Sequence, residues 1–242
     1  MSAGTLIGVG LGPGDPELLT VKAVEAIRAA PVIAYFAKKG RGGNARRIAD
    51  RWIPEGRVEI PLYYPLTTEV GFDTPVYIGT LQQFYAEATE LLAGHLAEGR
   101  DVALLAEGDP LFYGSFMHLY ARLRDRFPTA IIPGVTGMAG CWSVAGEPMT
   151  WGDDVLSVLP GTLPEDELAA RLENSHAAVI MKIGRNFPKV RAAIVRAGLL
   201  DRAIYVERGT MPGERIVRLA DKTDGEAPYF SLILIPGNGR RP

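Results

Sequence analysis

The residues best suited to chemistry lie in the middle of the sequence, where an apolar stretch gives way to acidic and turn-forming residues. Residues 102–106 (VALLA) predict a short buried strand. Glu-Gly-Asp-Pro follows at 107–110: glycine permits unusual φ angles, aspartate closes a side-chain turn, and proline stops the strand. A strand that leads into such a loop before a helix is the usual ligand position in an open α/β sheet. The segment therefore predicts a ligand loop, with an ordinary strand-to-helix turn as the alternative.

Two further glycine-rich turns each follow an apolar stretch. The first, residues 8–20 (GVGLGPGDPELLT), is not a dinucleotide fingerprint, because the third glycine of that motif would fall on Pro13 or Asp15. It also lacks the lysine of a phosphate-binding P-loop, and a helix is predicted to begin at about Pro16-Glu17. The second turn, residues 133–140 (PGVTGMAG), consists of small residues that permit a ligand to approach the backbone, or else two helices to pack closely.

Positive charge is concentrated between residues 38 and 51, where only Asp50 opposes it. Charge runs are commonly solvated surfaces, but Arg and Lys also pair well with a ligand that carries many carboxylates. Interleaved aromatic residues of the kind that bind single-stranded nucleic acid are missing from this run. The candidate cations of a substrate-binding rim are Lys38, Lys39, Arg41, Arg46 and Arg47, with Arg185 and Arg208 after two later strands.

Apolar stretches alternate with amphipathic ones along the chain, which predicts an α/β fold. The predicted strands are 5–9, 32–36, 58–60, 102–106, 131–132, 155–159, 177–181, 203–207 and 229–235, and residues 62–74 are a predicted loop. Helices are predicted after 16, near 44, at 77–99, from about 114 to 126, after 137, at 165–172 and at 187–197. The composition shifts around residues 147–154, and we place a domain junction between residues 132 and 151. The predicted domains are an N-terminal α/β domain at 1–133 and a C-terminal one at 134–242.

The overall composition excludes several classes of protein. The net charge of −2 over 242 residues gives no global indication of nucleic-acid binding. The single cysteine, Cys141, suits a reducing compartment, and the three histidines have no metal-ligand spacing. Neither a signal peptide nor a membrane-spanning stretch is predicted, so we expect a cytoplasmic protein. Because of the histidine spacing, we expect no metal site.

The motifs taken together resemble one family, the tetrapyrrole methylases, or class III S-adenosylmethionine-dependent methyltransferases. Residues 8–20 resemble the opening motif of that family, residues 107–114 its second motif, and residues 133–137 its third. Met181, Lys182 and Gly184 resemble the fourth. The resemblance covers essentially the whole chain and includes motifs from both halves.

The resemblance implies two α/β domains with S-adenosylmethionine in the cleft between them, usually in a homodimer. It places Pro13 against the cofactor and lines the adenosyl and methionine parts with residues 107–109 and Phe112. Thr136 and Gly137 would contact the methionine end, and Met181 and Gly209 would hold the adenine. The implied cofactor contacts are Pro13, Glu107, Gly108, Asp109, Phe112, Thr136, Gly137, Met181 and Gly209. Glu107 stands where many members have glycine. No catalytic acid or base is assigned.

Within the family, residues 35–40, 44–45 and 60–65 look most like the members that methylate C20 of precorrin-2 in cobalamin (corrin) biosynthesis. Such an acceptor is an acidic tetrapyrrole whose acetates and propionates would meet the basic rim. Cobalt-factor II, uroporphyrinogen III and other corrin rings are alternative acceptors. A nucleotide-dependent oxidoreductase and a non-catalytic tetrapyrrole carrier are the alternatives of a different class.

Overall fold

The computed structural model describes residues 2–40, 42–65 and 75–239. The chain divides into two compact units, Met1–Thr136 and Gly137–Pro242. Each unit has its own five-stranded sheet, covered by helices on both faces. The predicted domain boundary after residue 133 lies in the loop immediately before Thr136.

The sheet of the first unit is entirely parallel, with the strand order β3-β2-β4-β1-β5. Its strands are β1 (Leu6–Gly10), β2 (Val32–Lys38), β3 (Val58–Tyr64), β4 (Val102–Ala106) and β5 (Thr129–Ile132). All five residues of β4 are buried, as expected of a parallel strand that is covered on both faces. Burial of a leucine such as Leu104 stabilises the fold by about 1.5–3 kcal/mol.

In the described part of the first unit, four helices cover this sheet, two on each face. They are α1 (Val21–Ala29), α2 (Asn44–Ala49), α3 (Pro75–Ala97) and α4 (Phe116–Leu123). Alternate residues of β4 pack in opposite directions: Leu105 joins the cluster that includes α1 and α2, whereas Leu104 joins the cluster that includes α3 and α4. The sheet is therefore a central layer whose carboxyl edge carries the loops described below.

The sheet of the second unit is mixed, with the strand order β6-β7-β10-β8-β9. Its strands are β6 (Leu156–Pro160), β7 (Ala177–Met181), β8 (Ile204–Glu207), β9 (Arg215–Arg218) and β10 (Ser231–Ile235). β6 is parallel to β7, whereas β10 runs antiparallel to both of its neighbours. Because β10 separates them, β7 and β8 point in the same direction, and the loops that follow them leave the same edge of the sheet.

Between residues 137 and 239, three helices cover the second sheet: α5 (Gly137–Ala145), α6 (Glu165–Glu173) and α7 (Phe187–Arg196). α6 and α7 pack on one face with Leu168, Val190 and Ile194, and α5 packs on the other face with Cys141. Among the described residues, no helix combines the length and hydropathy needed to cross a membrane.

Two sequence predictions were wrong in detail, and one strand was missed. The helix predicted to begin at Pro16-Glu17 is only a 3-10 turn there; α1 begins at Val21, because the Thr20 hydroxyl accepts the N–H of Ala23 and caps it. β3 continues past residue 60 to Tyr64 by pairing with β2, so part of the predicted 62–74 loop is strand, while residues 66–74 lie outside the described residues. β9 was not predicted.

Candidate functional site

The loops that carry the first three motifs follow β1, β4 and β5, which are neighbours in the first sheet. Because these strands are parallel, their carboxyl ends meet at one edge. Gly12 and Gly108 form an isolated antiparallel bridge between the first two loops: the N–H of Gly108 donates to the carbonyl of Gly12 at 2.8 Å, and the N–H of Gly12 donates to the carbonyl of Gly108 at 3.3 Å. The structure thus brings residues 8–20, 107–115 and 133–136 together.

Glycine is required where these loops touch. A Cβ on Gly134 would overlap the carbonyl oxygen of Gly108 and lie 2.9 Å from the carbonyl carbon of Gly10. A Cβ on Gly10 would in turn overlap Gly134. Since the obstructing atoms belong to the backbone, side-chain rotation cannot relieve the overlap. The three loops are therefore packed at backbone distance.

The carboxylate of Asp109 fixes the second loop internally and to the third. Its Oδ1 accepts the N–H of Leu111 at 2.9 Å, and its Oδ2 accepts the N–H of Gly134 at 3.2 Å. Both carboxylate oxygens thus have protein partners. Asp109 can therefore contribute to a site by shaping its backbone, which is a different role from the direct cofactor contact implied by the family resemblance.

Glu107 lies at the end of β4, and its carboxylate meets the start of α2. It accepts hydrogen bonds from the backbone of Ala45 and the side chain of Asn44, and Arg47 lies close enough to stabilise its charge. Burial nevertheless dominates and raises the pKa of Glu107 above its ordinary value. The residue that departs from the family pattern therefore links the second motif to the basic segment.

The other predicted cofactor residues of the first unit line the same edge. Pro13 is half-buried between Gly12 and Gly14, both of which have positive φ angles. Phe112 is half-buried, and its ring centroid lies 4.8 Å from that of Tyr113. Thr136 is half-buried at the end of the third loop.

Tyr64, which the sequence analysis missed, forms a hydrogen bond with the end of the second loop. Tyr64 is the last residue of β3, and its hydroxyl donates to the hydroxyl oxygen of Ser115, next to the start of α4. Its ring stacks on Phe36 with the centroids 5.4 Å apart. Residues 60–65 were noted only as a subfamily resemblance, because a local pattern does not reveal a partner 51 residues away.

In the second unit, the predicted adenine contacts lie on the α5 side of the sheet. Met181 ends β7 and packs with the cluster that contains Cys141 and Val206. Gly209 follows β8 and contacts the same two residues: a Cβ there would lie 2.7 Å from the Cys141 sulfur. Gly137 is the first residue of α5. The three predicted residues of this unit are thus the first residue of α5, the last residue of β7 and a residue of the loop after β8.

All non-glycine residues with positive φ, among those described, belong to the predicted site loops. Tyr113 (φ 53°) lies after β4, Lys182 (φ 55°) after β7, and Arg208 (φ 51°) and Thr210 (φ 67°) after β8. Each such residue costs on the order of 1–3 kcal/mol, so it persists only where surrounding contacts enforce it. Sequence offered no signal for them, because none is a glycine or an asparagine.

The predicted cations are in different situations. The guanidinium of Arg46 already donates two hydrogen bonds to the carboxylate of Glu59, at 2.5 and 3.0 Å, and one to that of Asp50, at 2.6 Å. Arg47 is exposed and donates to Asn44 at 2.6 Å. Arg41 lies outside the described residues. The remaining four, Lys38, Lys39, Arg185 and Arg208, are exposed.

These loops and their order can be compared with known proteins. The sequence profile of the Tetrapyrrole (Corrin/Porphyrin) Methylases matches residues 5–222. The chain belongs to this family. The predicted membership is thereby confirmed, and a methylase replaces both the oxidoreductase and the non-catalytic carrier that the sequence analysis had left as alternatives.

Individual relatives within the family differ in length and acceptor. A precorrin-2 C(20)-methyltransferase from Sinorhizobium sp is 58% identical over 242 residues, which cover 100% of this chain and 99% of that protein. The cobalamin biosynthesis protein CobIJ of Mycobacterium tuberculosis (strain ATCC 25618 / H37Rv) is 51% identical over 242 residues, and this chain, covered in full, spans 48% of its length. A cobalt-precorrin-2 C(20)-methyltransferase of Salmonella typhimurium is 27% identical over 235 residues, covering 96% of each.

Solved structures confirm the predicted fold class of two α/β units. A cobalt precorrin-4 methyltransferase superposes with a TM-score of 0.74 at 23% identity, covering 96% of this chain and 94% of that one. Uroporphyrin-III C-methyl transferase from Thermus thermophilus, complexed with S-adenyl homocysteine, superposes with a TM-score of 0.68 at 25% identity, covering 96% of each chain.

Proposed function

We propose that this methylase transfers the methyl group of S-adenosylmethionine to carbon 20 of precorrin-2, giving precorrin-3A in cobalamin biosynthesis. The observation that carries the proposal is the 58% identity to a precorrin-2 C(20)-methyltransferase over the full length of both chains. The identity spans both units, so it includes every loop described above.

The residues present fit S-adenosylmethionine as the cofactor, which would supply an electrophilic methyl group on a sulfonium. Close-packed glycine backbones at Gly10, Gly108 and Gly134 leave the loops of the first unit without side chains at their junction. Half-buried Phe112 and Met181 offer apolar contacts of the kind that a nucleoside and a thioether need. The proposed contacts are those of the family resemblance, with Asp109 acting through the loop backbone.

The chain's own contribution to the reaction would be orientation. The proposed acceptor carbon is electron-rich, so it needs little activation, and rate is gained by holding the reactants in line at near-attack distance. The glycine junction and the Asp109 hydrogen bonds keep three loops in one arrangement before the ligands arrive. S-adenosylhomocysteine would be the leaving group, and the proton displaced from the acceptor carbon would pass to water or a weak base, so this step needs no dyad of general acid and base.

The acidic periphery of precorrin-2 requires cationic partners, and exposed side chains are the best candidates for them. We propose Lys38, Lys39 and Arg47 in the first unit, and Arg185 and Arg208 in the second. Arg46 is a weaker candidate because its guanidinium already pairs with Glu59 and Asp50. Arg41 stays a prediction from sequence, as do the homodimer and the cytoplasmic location.

A cobalt-containing acceptor is the second candidate, favoured by the similarity to the Salmonella typhimurium cobalt-precorrin-2 enzyme. The two acceptors share their carboxylates and differ at the ring centre. The lower identity, 27% against 58%, favours the metal-free acceptor.

The test is an anaerobic incubation of the protein with S-adenosylmethionine and either metal-free precorrin-2 or its cobalt-containing counterpart. Mass spectrometry counts the methyl groups added, and a carbon-13 methyl locates them by NMR. We expect one methyl at C20 of the metal-free acceptor. Transfer only to the cobalt-containing acceptor would support the second candidate, and cofactor binding without transfer to either would overturn the proposed substrate.

A further inference from the structure

The segment Arg208-Gly209-Thr210, which we call the β8 loop, combines an unfavourable backbone with a predicted cofactor contact. Arg208 and Thr210 both have left-handed φ angles, and Gly209 lies between them. The carbonyl of Arg208 accepts the N–H of Met211 at 2.8 Å, which closes the turn. Because non-glycine residues avoid this conformation, something outside the loop must hold it.

Two side chains accept hydrogen bonds from consecutive backbone N–H groups of this loop. The carboxylate Oε2 of Glu214 accepts the N–H of Thr210 at 2.7 Å. The sulfur of Cys141, on α5, accepts a hydrogen bond from the N–H of Gly209. Burial raises the pKa of the Cys141 thiol to about 12, and the charge of nearby Glu214 acts in the same direction, so the thiol stays protonated and uncharged.

Packing adds a steric limit to the hydrogen bond. A Cβ on Gly209 would lie 2.7 Å from the Cys141 sulfur, 3.2 Å from its Cα and 3.2 Å from a methyl group of Val206. The loop backbone is therefore seated directly on α5.

We infer that Cys141 and Glu214 are positioning residues, which hold the β8 loop in the conformation that receives the adenosyl part of S-adenosylmethionine. This inference rests on the proposed function, which supplies the ligand. Neither side chain contacts the ligand in this role. Glu214 fixes Thr210, Cys141 fixes Gly209, and the loop presents its backbone to the nucleoside.

The first experiment compares Glu214→Ala, Glu214→Gln and the control Glu173→Ala, an exposed glutamate on α6, by calorimetry with S-adenosylhomocysteine. We expect Glu214→Ala to bind about tenfold more weakly, equivalent to about 1.4 kcal/mol. Glu214→Gln should recover most of the affinity because its amide oxygen can accept the same N–H. The control and the KM for the tetrapyrrole should stay unchanged.

The second experiment is a double-mutant cycle between Gly209→Ala and Cys141→Ala. Gly209→Ala should lose less affinity in the Cys141→Ala background, because the sulfur that obstructs the added methyl group is gone. Equal losses in both backgrounds, or unchanged affinity of folded Glu214→Ala, would overturn the positioning roles alone. If the unmodified protein bound neither S-adenosylmethionine nor S-adenosylhomocysteine, the proposed function would fail and this inference with it.

Discussion

The Asp109 carboxylate accepts the backbone N–H of Gly134 at 3.2 Å, and this contact joins the loop after β4 to the loop after β5. The same carboxylate holds Leu111, so one side chain determines the shape of two motifs. The motif predicts that Asp109 contacts the cofactor, and the structure shows that its carboxylate also holds the backbone of both loops.

Replacing Asp109 should therefore affect stability and cofactor affinity together. Asp109→Ala leaves two N–H groups without their acceptor, which we expect to cost about 1–3 kcal/mol in the free energy of unfolding. We expect S-adenosylhomocysteine to bind at least about tenfold more weakly, as measured by calorimetry. Asp125→Ala, at an exposed aspartate, is the control. Unaltered affinity in Asp109→Ala would count against the motif assignment.

Two glycine-to-alanine substitutions should change the stability of the protein in opposite directions. Gly134→Ala forces the loop backbones of Gly108 and Gly10 apart, so it should destabilise the protein and abolish cofactor binding. Gly94, inside α3, has open space around its Cβ position, so Gly94→Ala should stabilise by about 0.5–1 kcal/mol. Urea unfolding of both variants tests this, and a Gly134→Ala variant as stable as the unmodified protein would contradict the glycine junction.

Glu107 should make stability depend on pH. Burial raises its folded-state pKa above the unfolded value of about 4.3, so its stabilising contribution is fully present below that pH and is lost as the pH rises through the folded pKa. Gln cannot ionise. Glu107→Gln should therefore gain stability relative to the unmodified protein between about pH 4 and pH 8, whereas Glu173→Gln should not. Urea denaturation at the two pH values measures this. The prediction would be refuted if the difference in the free energy of unfolding between Glu107→Gln and the unmodified protein were the same at both.

Charge reversal tests the basic rim. The triple variant Lys38→Glu, Lys39→Glu and Arg41→Glu should raise the KM for precorrin-2 by about tenfold or more at low salt, since unlike charges become like charges. The effect should shrink at high ionic strength, where the screening length falls to about 3 Å at 1 M salt. Lys22→Glu, at an exposed lysine of α1, is the control. Unchanged acceptor affinity in the triple variant would remove these residues from the proposed rim.

The ion pair between Lys222 and Asp224 should make the stability of the second unit sensitive to acid. Lys222 is fully buried between the rings of Phe187 and Tyr205, and its ammonium pairs with Asp224. The hydrogen bond from Lys222 lowers the pKa of Asp224 to about 2, so the pair stabilises the fold above the unfolded pKa of about 3.9 and is lost as the pH falls toward 2. Asp224→Asn should be destabilised at pH 7, with a difference that narrows in acid. Asp153→Asn serves as the comparison.

Some features of the site follow from local sequence. The apolar run of β4 and the turn residues after it determine a strand and a loop within about ten residues, so both could be predicted. The same is true of β7 and the glycine turns. In contrast, β9 is a short edge strand with both terminal arginines exposed, and only its pairing with β8 defines it.

By itself, the sequence determined the family, the α/β alternation and the loops that carry the motifs, because each depends on residues that are close in the chain. The tertiary structure decided which partners those residues contact. It showed that Asp109 bridges two loops, that Glu107 meets α2, and that Arg46 is occupied by Glu59. It also showed that Gly209 packs against Cys141. These pairings join distant parts of the chain, and they exist only because the packing of helices on each sheet brings the partners together.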